Sequence, residues 1–292
     1  KRWFYLRKRM DFNLKDIYNV VDSTMGGPGY YAVATQVPDT LDWNWEYNPE
    51  YETFFVNFHV AHPATEKVRG YALLYESKGL ISNVYEHLEN NLDKFKMVFT
   101  PNSHLVETYP DKCKWVPGGG IWVGAYGGGE IKLHDKSKMI SMVSSTKEMN
   151  DLHKFRLQLA KYLKDNTDSV VVTIGCASPT GEGKIHHSLH DYRYSIVLEN
   201  YIDKWYFTEK LMNCFATGTI PIYLGATDLG KYFNTDGVIF INEKSNEEIL
   251  DIVNNLTPEY YESKMDAIKE NFEAVQKFRS MEDYMCLNYM KG

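Results

Sequence analysis

Tyr192-Arg193-Tyr194-Ser195-Ile196-Val197-Leu198-Glu199-Asn200 opens the stretch around which the chain is arranged. Tyr206-Phe207-Thr208-Glu209-Lys210 follows after a short loop, and Gly218-Thr219-Ile220-Pro221-Ile222-Tyr223-Leu224-Gly225 closes it. The run 194–198 is apolar and β-branched enough to read as a strand. Thr208 is a good N-cap, Leu211, Cys214 and Phe215 recur at helical spacing, and Gly218 stops the helix. The run 220–224 reads as the next strand. This is a βαβ unit with a polar cluster at the carboxyl end of its first strand. In open α/β sheets that edge is where ligands bind, and a helix amino end there offers unpaired N–H groups and partial positive charge to a phosphate.

The segments around this unit repeat its pattern. Runs at 54–60, 71–75 and 97–99 read as strands, with a helix over 82–95 and a short one capped by Asn102 or Ser103. Residues 16–21 read as a helix, and Gly26-Gly27-Pro28-Gly29 as a loop. Further on, 139–143, 170–174 and 238–241 read as strands, with 170–174 expected to be a buried parallel strand. An amphipathic helix covers 150–163, and a last helix starts at Thr257-Pro258 with Tyr261, Met265, Ile268, Phe272 and Val275 on one stripe. Between the two halves, Gly118-Gly119-Gly120 and Gly127-Gly128-Gly129 bracket an aromatic stretch that reads as an interdomain linker or as a mobile loop over a cleft. It fits neither the dinucleotide fingerprint nor the phosphate-loop pattern. Alternating strands and helices indicate an α/β protein of two Rossmann-like doubly wound domains facing a cleft. The expected division is 1–125 and 126–292, with the last helix free to pack back on the first domain.

Composition narrows the function classes. The chain has 292 residues, enough for two domains of ordinary size. A net charge of -7 argues against a broad nucleic-acid surface. No apolar run approaches the roughly 20 residues needed to span a bilayer. The basic start, Lys1, Arg2, Arg7, Lys8 and Arg9, reads as a solvated terminus or as a membrane-surface or partner contact. The chain opens with Lys1 rather than Met, so an upstream anchor or signal stays open, and with it the compartment. Cys113, Cys176, Cys214 and Cys286 are far apart and read as buried thiols, not as a zinc site or a disulfide framework.

The central stretch resembles the donor-binding motif of the α1,3-fucosyltransferases, glycosyltransferase family 10. The resemblance is carried by Tyr192-Arg193-Tyr194, Leu198-Glu199-Asn200, the run from Tyr206 to Lys210, and Gly218-Thr219-Ile220-Pro221 with Gly225, and the separation of Asn200, Tyr206, Glu209 and Lys210 is the family's own. It implies a GT-B fold, with the nucleotide-sugar donor on the C-terminal domain and the acceptor on the N-terminal one. It also implies an inverting transferase that moves L-fucose from GDP-fucose to a hydroxyl of an oligosaccharide or glycoconjugate. A transferase using another UDP- or GDP-linked pentose or hexose, and a non-catalytic sugar-binding relative, are the alternatives. An NAD-type enzyme is disfavoured because no Gly-x-Gly-x-x-Gly follows a strand.

Sugar transfer from a nucleotide requires that the leaving diphosphate be neutralised and that the acceptor hydroxyl lose a proton. The sequence has no Asp-x-Asp pair to hold a metal, so cationic side chains and a helix amino end are expected to serve, with no metal or other cofactor. Arg156 reads as a surface helix arginine or, on the resemblance, as the residue that grips the diphosphate, a task suited to a bidentate guanidinium. Lys210 sits in the first turn of its helix, where a cation opposes the helix dipole, so an anionic partner would explain it. Glu209 is dipole-stabilised there in any protein. The resemblance implies that it accepts hydrogen bonds from the donor's ribose or sugar, and that Asn200 and Tyr206 contact the donor's sugar and phosphates. Arg193 reads as structural. In the first half Glu76 follows the strand 71–75, and the resemblance implies a general base there. His59, His62, His186, His187 and His190 could do acid–base work instead. The pair His186-His187 shows no third ligand at helical spacing, so no metal site is read there.

Overall fold

A computed structural model describes residues 15–22, 36–175 and 184–290. The basic start with its membrane-surface reading, the 26–29 loop and Cys176 lie outside the described residues.

Two all-parallel sheets form the frame. The first contains β1 (Asp16–Val21), β2 (Leu41–Asn44), β3 (Thr53–Val56), β4 (Tyr71–Leu73), β5 (Val98–Thr100) and β6 (Cys113–Trp115), in the order β2-β1-β3-β4-β5-β6. Its helices include α1 (Ser82–Glu89) and α2 (Ser103–Thr108). The second contains β7 (Lys138–Ser144), β8 (Val170–Ile174), β9 (Tyr192–Leu198), β10 (Ile220–Leu224) and β11 (Ile239–Phe240), in the order β11-β10-β9-β7-β8. With it go α3 (Asp151–Asn166), α4 (Glu209–Thr217), α5 (Asn246–Asn255), α6 (Pro258–Ser263) and α7 (Met265–Val275). The short α8 (Met281–Met285) follows.

Side chains alternate across a strand, so a sheet buried on both faces sends neighbouring residues into different cores. Phe54, Val56, Leu73 and Tyr75 join one cluster of the first sheet, while Phe55, Ala72 and Leu74 join the other. In the second sheet Ile196, Leu198, Ile222 and Leu224 point to one core, and Val197 and Tyr223 to the opposite one. Chain segments cover each face, as the doubly wound reading requires. Met281, Met285 and Cys286 are fully buried, not against the second sheet but among Val20, Trp43, Phe54 and Phe99 of the first. Burying one such side chain contributes roughly 1.5–3 kcal/mol. Asp283 accepts hydrogen bonds from the backbone N–H groups of Asp39 and Thr40 and from the Thr40 hydroxyl.

Several expectations need correction. Residues 16–21 are not a helix. They form β1, hydrogen-bonded between β2 and β3, because Ile17, Val20 and Val21 are β-branched and strands on both sides satisfy the backbone. The strand expected over 54–60 ends at Val56, where Asn57 takes φ 47° and turns the chain into a 3-10 helix over Asn57–Ala61. The helix expected over 82–95 stops at Glu89, with a separate 3-10 turn at Leu92–Lys94. The last helix is broken at Lys264 into α6 and α7. The strand 170–174 is parallel but lies at the sheet edge, with Val171 43% exposed, so it is not fully buried. The glycine-rich stretch is more than a linker. Ile121 and Val123 lie in the core beside α4, and Asn213 Oδ1 accepts from the backbone N–H groups of Trp122 (2.9 Å) and Val123 (3.1 Å). Among the described residues no helix is long and apolar enough to cross a membrane.

Candidate active site

The site is built from the carboxyl end of β9 outward. Glu199 is 1% exposed. Its carboxylate accepts from Thr208 N–H at 2.9 Å and from the Thr208 hydroxyl at 2.8 Å, and it pairs with Lys210 Nζ at 3.4 Å. A buried carboxylate is tolerated only when hydrogen-bonded and paired, and here Thr208 does both jobs at once. It caps α4 and fixes Glu199 beneath the helix amino end. Lys210 also donates to the Thr208 hydroxyl (2.9 Å) and pairs with Glu209 (3.1 Å). Burial works against its charge, but Glu209 and Glu199 outweigh burial and raise its pKa above the ordinary lysine value. Burial also pushes Glu199 up, with Lys210 opposing. Gly118 lets the glycine-rich stretch pass close to this cap. Its N–H donates to the Phe207 carbonyl at 3.0 Å, and a Cβ there would stand 3.0 Å from Thr208 Cγ2.

Asn200 links α4 to α3. Its Oδ1 accepts from the buried Tyr206 hydroxyl (2.9 Å), and its carbonyl accepts from Asn150 Nδ2 (2.7 Å). Asn150 in turn caps α3 through His153 N–H. The amino ends of two helices are thereby held beside one strand end. One turn into α3 lies Arg156, only 7% exposed, so the surface-arginine reading fails. Its Nη2 donates to Ser145 Oγ at 2.7 Å, and its Nε has no partner among the described residues. Burial disfavours its charge, and Glu199 and Glu209 offset that cost. Arg193 instead lies at the start of β9 and donates to the Lys138 carbonyl, away from this strand end.

Across the cleft, Glu76 follows β4. Asn57 Oδ1 accepts from the N–H groups of Tyr75 and Glu76, and the Tyr85 hydroxyl donates to the Glu76 carbonyl at 2.8 Å. The left-handed turn at Asn57 therefore sets the Glu76 backbone. Burial raises the Glu76 carboxyl above the ordinary 4.5, Lys210 and Lys147 pull it down, and Glu209 pushes it up. The groups that act on it thus belong to the second half of the chain. Asp203 reaches back to cap α2, accepting from Ser103 N–H at 3.2 Å, and Lys204 pairs with Glu107 at 2.6 Å. The structure brings together Glu76, Arg156, Asn200, Tyr206, Glu209 and Lys210. It places His59 and His62 elsewhere, on a cavity of about 270 Å³ shared with Trp45 and Tyr47. A cavity of about 320 Å³ at the opposite end of the second sheet, beside Lys138, Tyr192 and Asn254, shares no residue with the cluster.

Three residues of the cluster were not singled out from sequence. Glu199 lay inside the quoted motif, but nothing marks a buried anchor in a residue string. His153, one turn before Arg156, is 4% exposed with Nδ1 unpartnered among the described residues. Burial, then Arg156, Lys210 and Lys147, lower its pKa to about 4. Lys147 lies in the loop after β7. The i, i+3 spacing of His153 and Arg156 was the available signal. The result is a cluster where cations lie beside two helix amino ends, an arrangement whose field favours an anion.

Residues 133–287 match the family model described as Glycosyltransferase family 10 (fucosyltransferase) C-term, a little over half of the chain. No curated protein sequence matches. Among solved structures, an α1,3-fucosyltransferase crystal structure is 16% identical and covers 87% of this chain and 83% of its own, with a TM-score of 0.52. Crystal structures of α1,3-fucosyltransferase with GDP-fucose (16% identity, 87% and 82% covered, TM-score 0.40) and with GDP (15%, 97% and 94%, 0.42) are also similar. The two facing parallel sheets are the GT-B arrangement. The chain is a glycosyltransferase, and it belongs to glycosyltransferase family 10, the fucosyltransferases.

Proposed function

We propose that this chain transfers L-fucose from GDP-fucose to a hydroxyl of an oligosaccharide or glycoconjugate, with inversion at the anomeric carbon. One observation supports this above the others: Arg156, Lys210 and the amino ends of α3 and α4 converge opposite Glu76. In this reading residues 126–292 hold the donor and 1–125 the acceptor. The diphosphate lies against Arg156 and Lys210, Glu209 accepts from donor hydroxyls, and Asn200 and Tyr206 line the sugar side. Glu76 takes the proton of the acceptor hydroxyl as its oxygen attacks the anomeric carbon. The bond to the β-phosphate breaks, and its electron pair leaves with GDP. A single displacement inverts the centre. Charge developing on the leaving diphosphate meets cations already in place, the kind of preorganised stabilisation that dominates many enzymes. Burial of Glu76 fits the base role, because a raised pKa makes its carboxylate a better proton acceptor at neutral pH.

A panel of nucleotide sugars and free nucleotides tests the donor by thermal shift, since binding to the native state raises apparent stability. GDP-fucose and GDP should stand out. A larger shift with UDP sugars than with any guanine nucleotide would overturn the donor assignment.

A further inference from the structure

We propose that His186, His187 and His190 form a divalent-cation site, suited to Zn²⁺, that ties the glycine-rich stretch to the amino end of β9. The pair His186-His187 alone is too few ligands for a metal site. The structure supplies His190: a 3-10 turn over Ile185–Ser188 brings one ligand atom from each ring within 4.8 Å of the others. Ring centroids stand 3.9 Å apart for His186 and His187, and 5.5 Å and 5.8 Å from each of them to His190. All three are half-buried, so an ion can reach them.

Two hydrogen bonds orient the rings. His186 Nδ1 lies 3.0 Å from the Gly127 carbonyl, and His190 Nδ1 lies 2.6 Å from the His186 carbonyl. A carbonyl can only accept, so each Nδ1 donates, which makes Nε2 the nitrogen that a metal would take. This second-shell arrangement accompanies most metal-binding histidines. His190 Nε2 faces Asp191 Oδ1 at 3.3 Å. A bound metal would take the place of the N–H at Nε2 that faces this carboxylate, and Asp191 would then offset part of the divalent charge. Three histidines with an open position are a set that zinc takes, at about 2.0–2.1 Å per nitrogen.

The surroundings are shaped to hold the turn. Gly128 and Gly129 take φ +69° and +70°, and a Cβ on either would stand 2.6 Å and 2.8 Å from the His186 side chain. Only glycine allows that backbone to lie against the ring. On the other side, Lys136 Nζ donates to the carbonyls of Leu189 (3.0 Å) and His190 (3.1 Å). The triad precedes β9, whereas Glu199 follows it. Seven residues at roughly 3.3 Å each separate the two by about 20 Å, so the ion would act on stability and not on transfer.

The test is equilibrium dialysis of the full chain against Zn²⁺ alone, with Co²⁺ absorption as a spectroscopic check. Wild type should bind one zinc per chain and melt at a higher temperature with it. His187→Asn and His190→Asn should each weaken zinc by more than the roughly 10- to 100-fold that loss of a supporting hydrogen bond costs. Melting of each variant without zinc confirms that it folds. The proposal is overturned if wild type binds zinc no more tightly than the His186→Asn/His187→Asn/His190→Asn variant, or if the single variants bind it as wild type does. Neither result depends on the donor or on activity.

Discussion

Gly79, three residues beyond Glu76, lies against Tyr201, the residue after Asn200: a Cβ on Gly79 would stand 2.8 Å from Tyr201 Cδ2 and 3.4 Å from the Asn200 carbonyl. The loop that carries Glu76 and the loop that carries Asn200 and Tyr201 touch at this point. Gly79→Val should push them apart. A misplacement of about 1 Å can cost on the order of 10²-fold in rate. Steady-state kinetics should show kcat falling by about that factor, while the melting temperature changes little. Unchanged kcat would mean that this contact does not set the cleft.

Arg156 and Lys210 should hold the diphosphate. Arg156→Ala and Lys210→Ala are each expected to weaken GDP binding about 10- to 150-fold, the equivalent of roughly 1.5–3 kcal/mol for a charged hydrogen bond. Lys210→Ala carries a second effect, because Glu199 is then buried without its cation. Adding Glu199→Gln should restore stability without restoring GDP affinity. Calorimetric titration and urea unfolding read the two effects separately.

Glu76→Gln keeps the size and loses the basicity. Turnover should fall by about 10² to 10⁴, the contribution of a positioned base, with GDP affinity unchanged. Because burial holds the Glu76 carboxyl above 4.5, the acid limb of the kcat profile should also lie above that value in wild type and vanish in the variant. A parallel loss of donor affinity would make Glu76 a binding residue.

His153 should make stability depend on pH. Its folded pKa is about 4 against an ordinary 6.5. Above 6.5 it is neutral in both states. As pH falls from 6.5 toward 4 the unfolded chain takes up a proton that the native state refuses, so stability drops through that window. Buried Glu76 and Glu199 have raised pKa values and so act with the opposite sign at the lower end. The measurement is therefore the difference between wild type and His153→Gln in urea unfolding at pH 7 and pH 4.5. The variant should lose less stability on acidification.

Transfer should continue in EDTA, since the leaving group is assigned to side chains. Activity that vanishes with chelator and returns with Mn²⁺ or Mg²⁺ would overturn that assignment.

How much of this was readable in the residues depended on where the information sits. The β9–α4–β10 unit was legible because its signals are local: Thr208 caps, Gly218 takes φ +71°, and the strands are continuous apolar runs. Asn102 and Asn150 were legible as caps for the same reason. The strand at 16–21 was not, because six residues with mixed polarity fit either period until β2 and β3 lie alongside. Asn57 and Glu199 act through long-range partners, Tyr75 and Thr208, that no spacing rule connects. His190 lies four residues after His186, so helical spacing did offer it as a third ligand, and a turn closed by the His190 N–H on the His186 carbonyl (2.9 Å) brings it round.

Met281, Met285 and Cys286 complete the core of the first sheet, although some 165 residues separate them from its last strand. The order of synthesis therefore inverts the order of completion. As the chain leaves the ribosome, residues 16–115 can pair their strands, yet Trp43, Phe54 and Phe99 stay uncovered until 281–286 have been made. The second sheet, closed by segments nearer in sequence, can consolidate first, and the half translated earliest is then the last to become watertight.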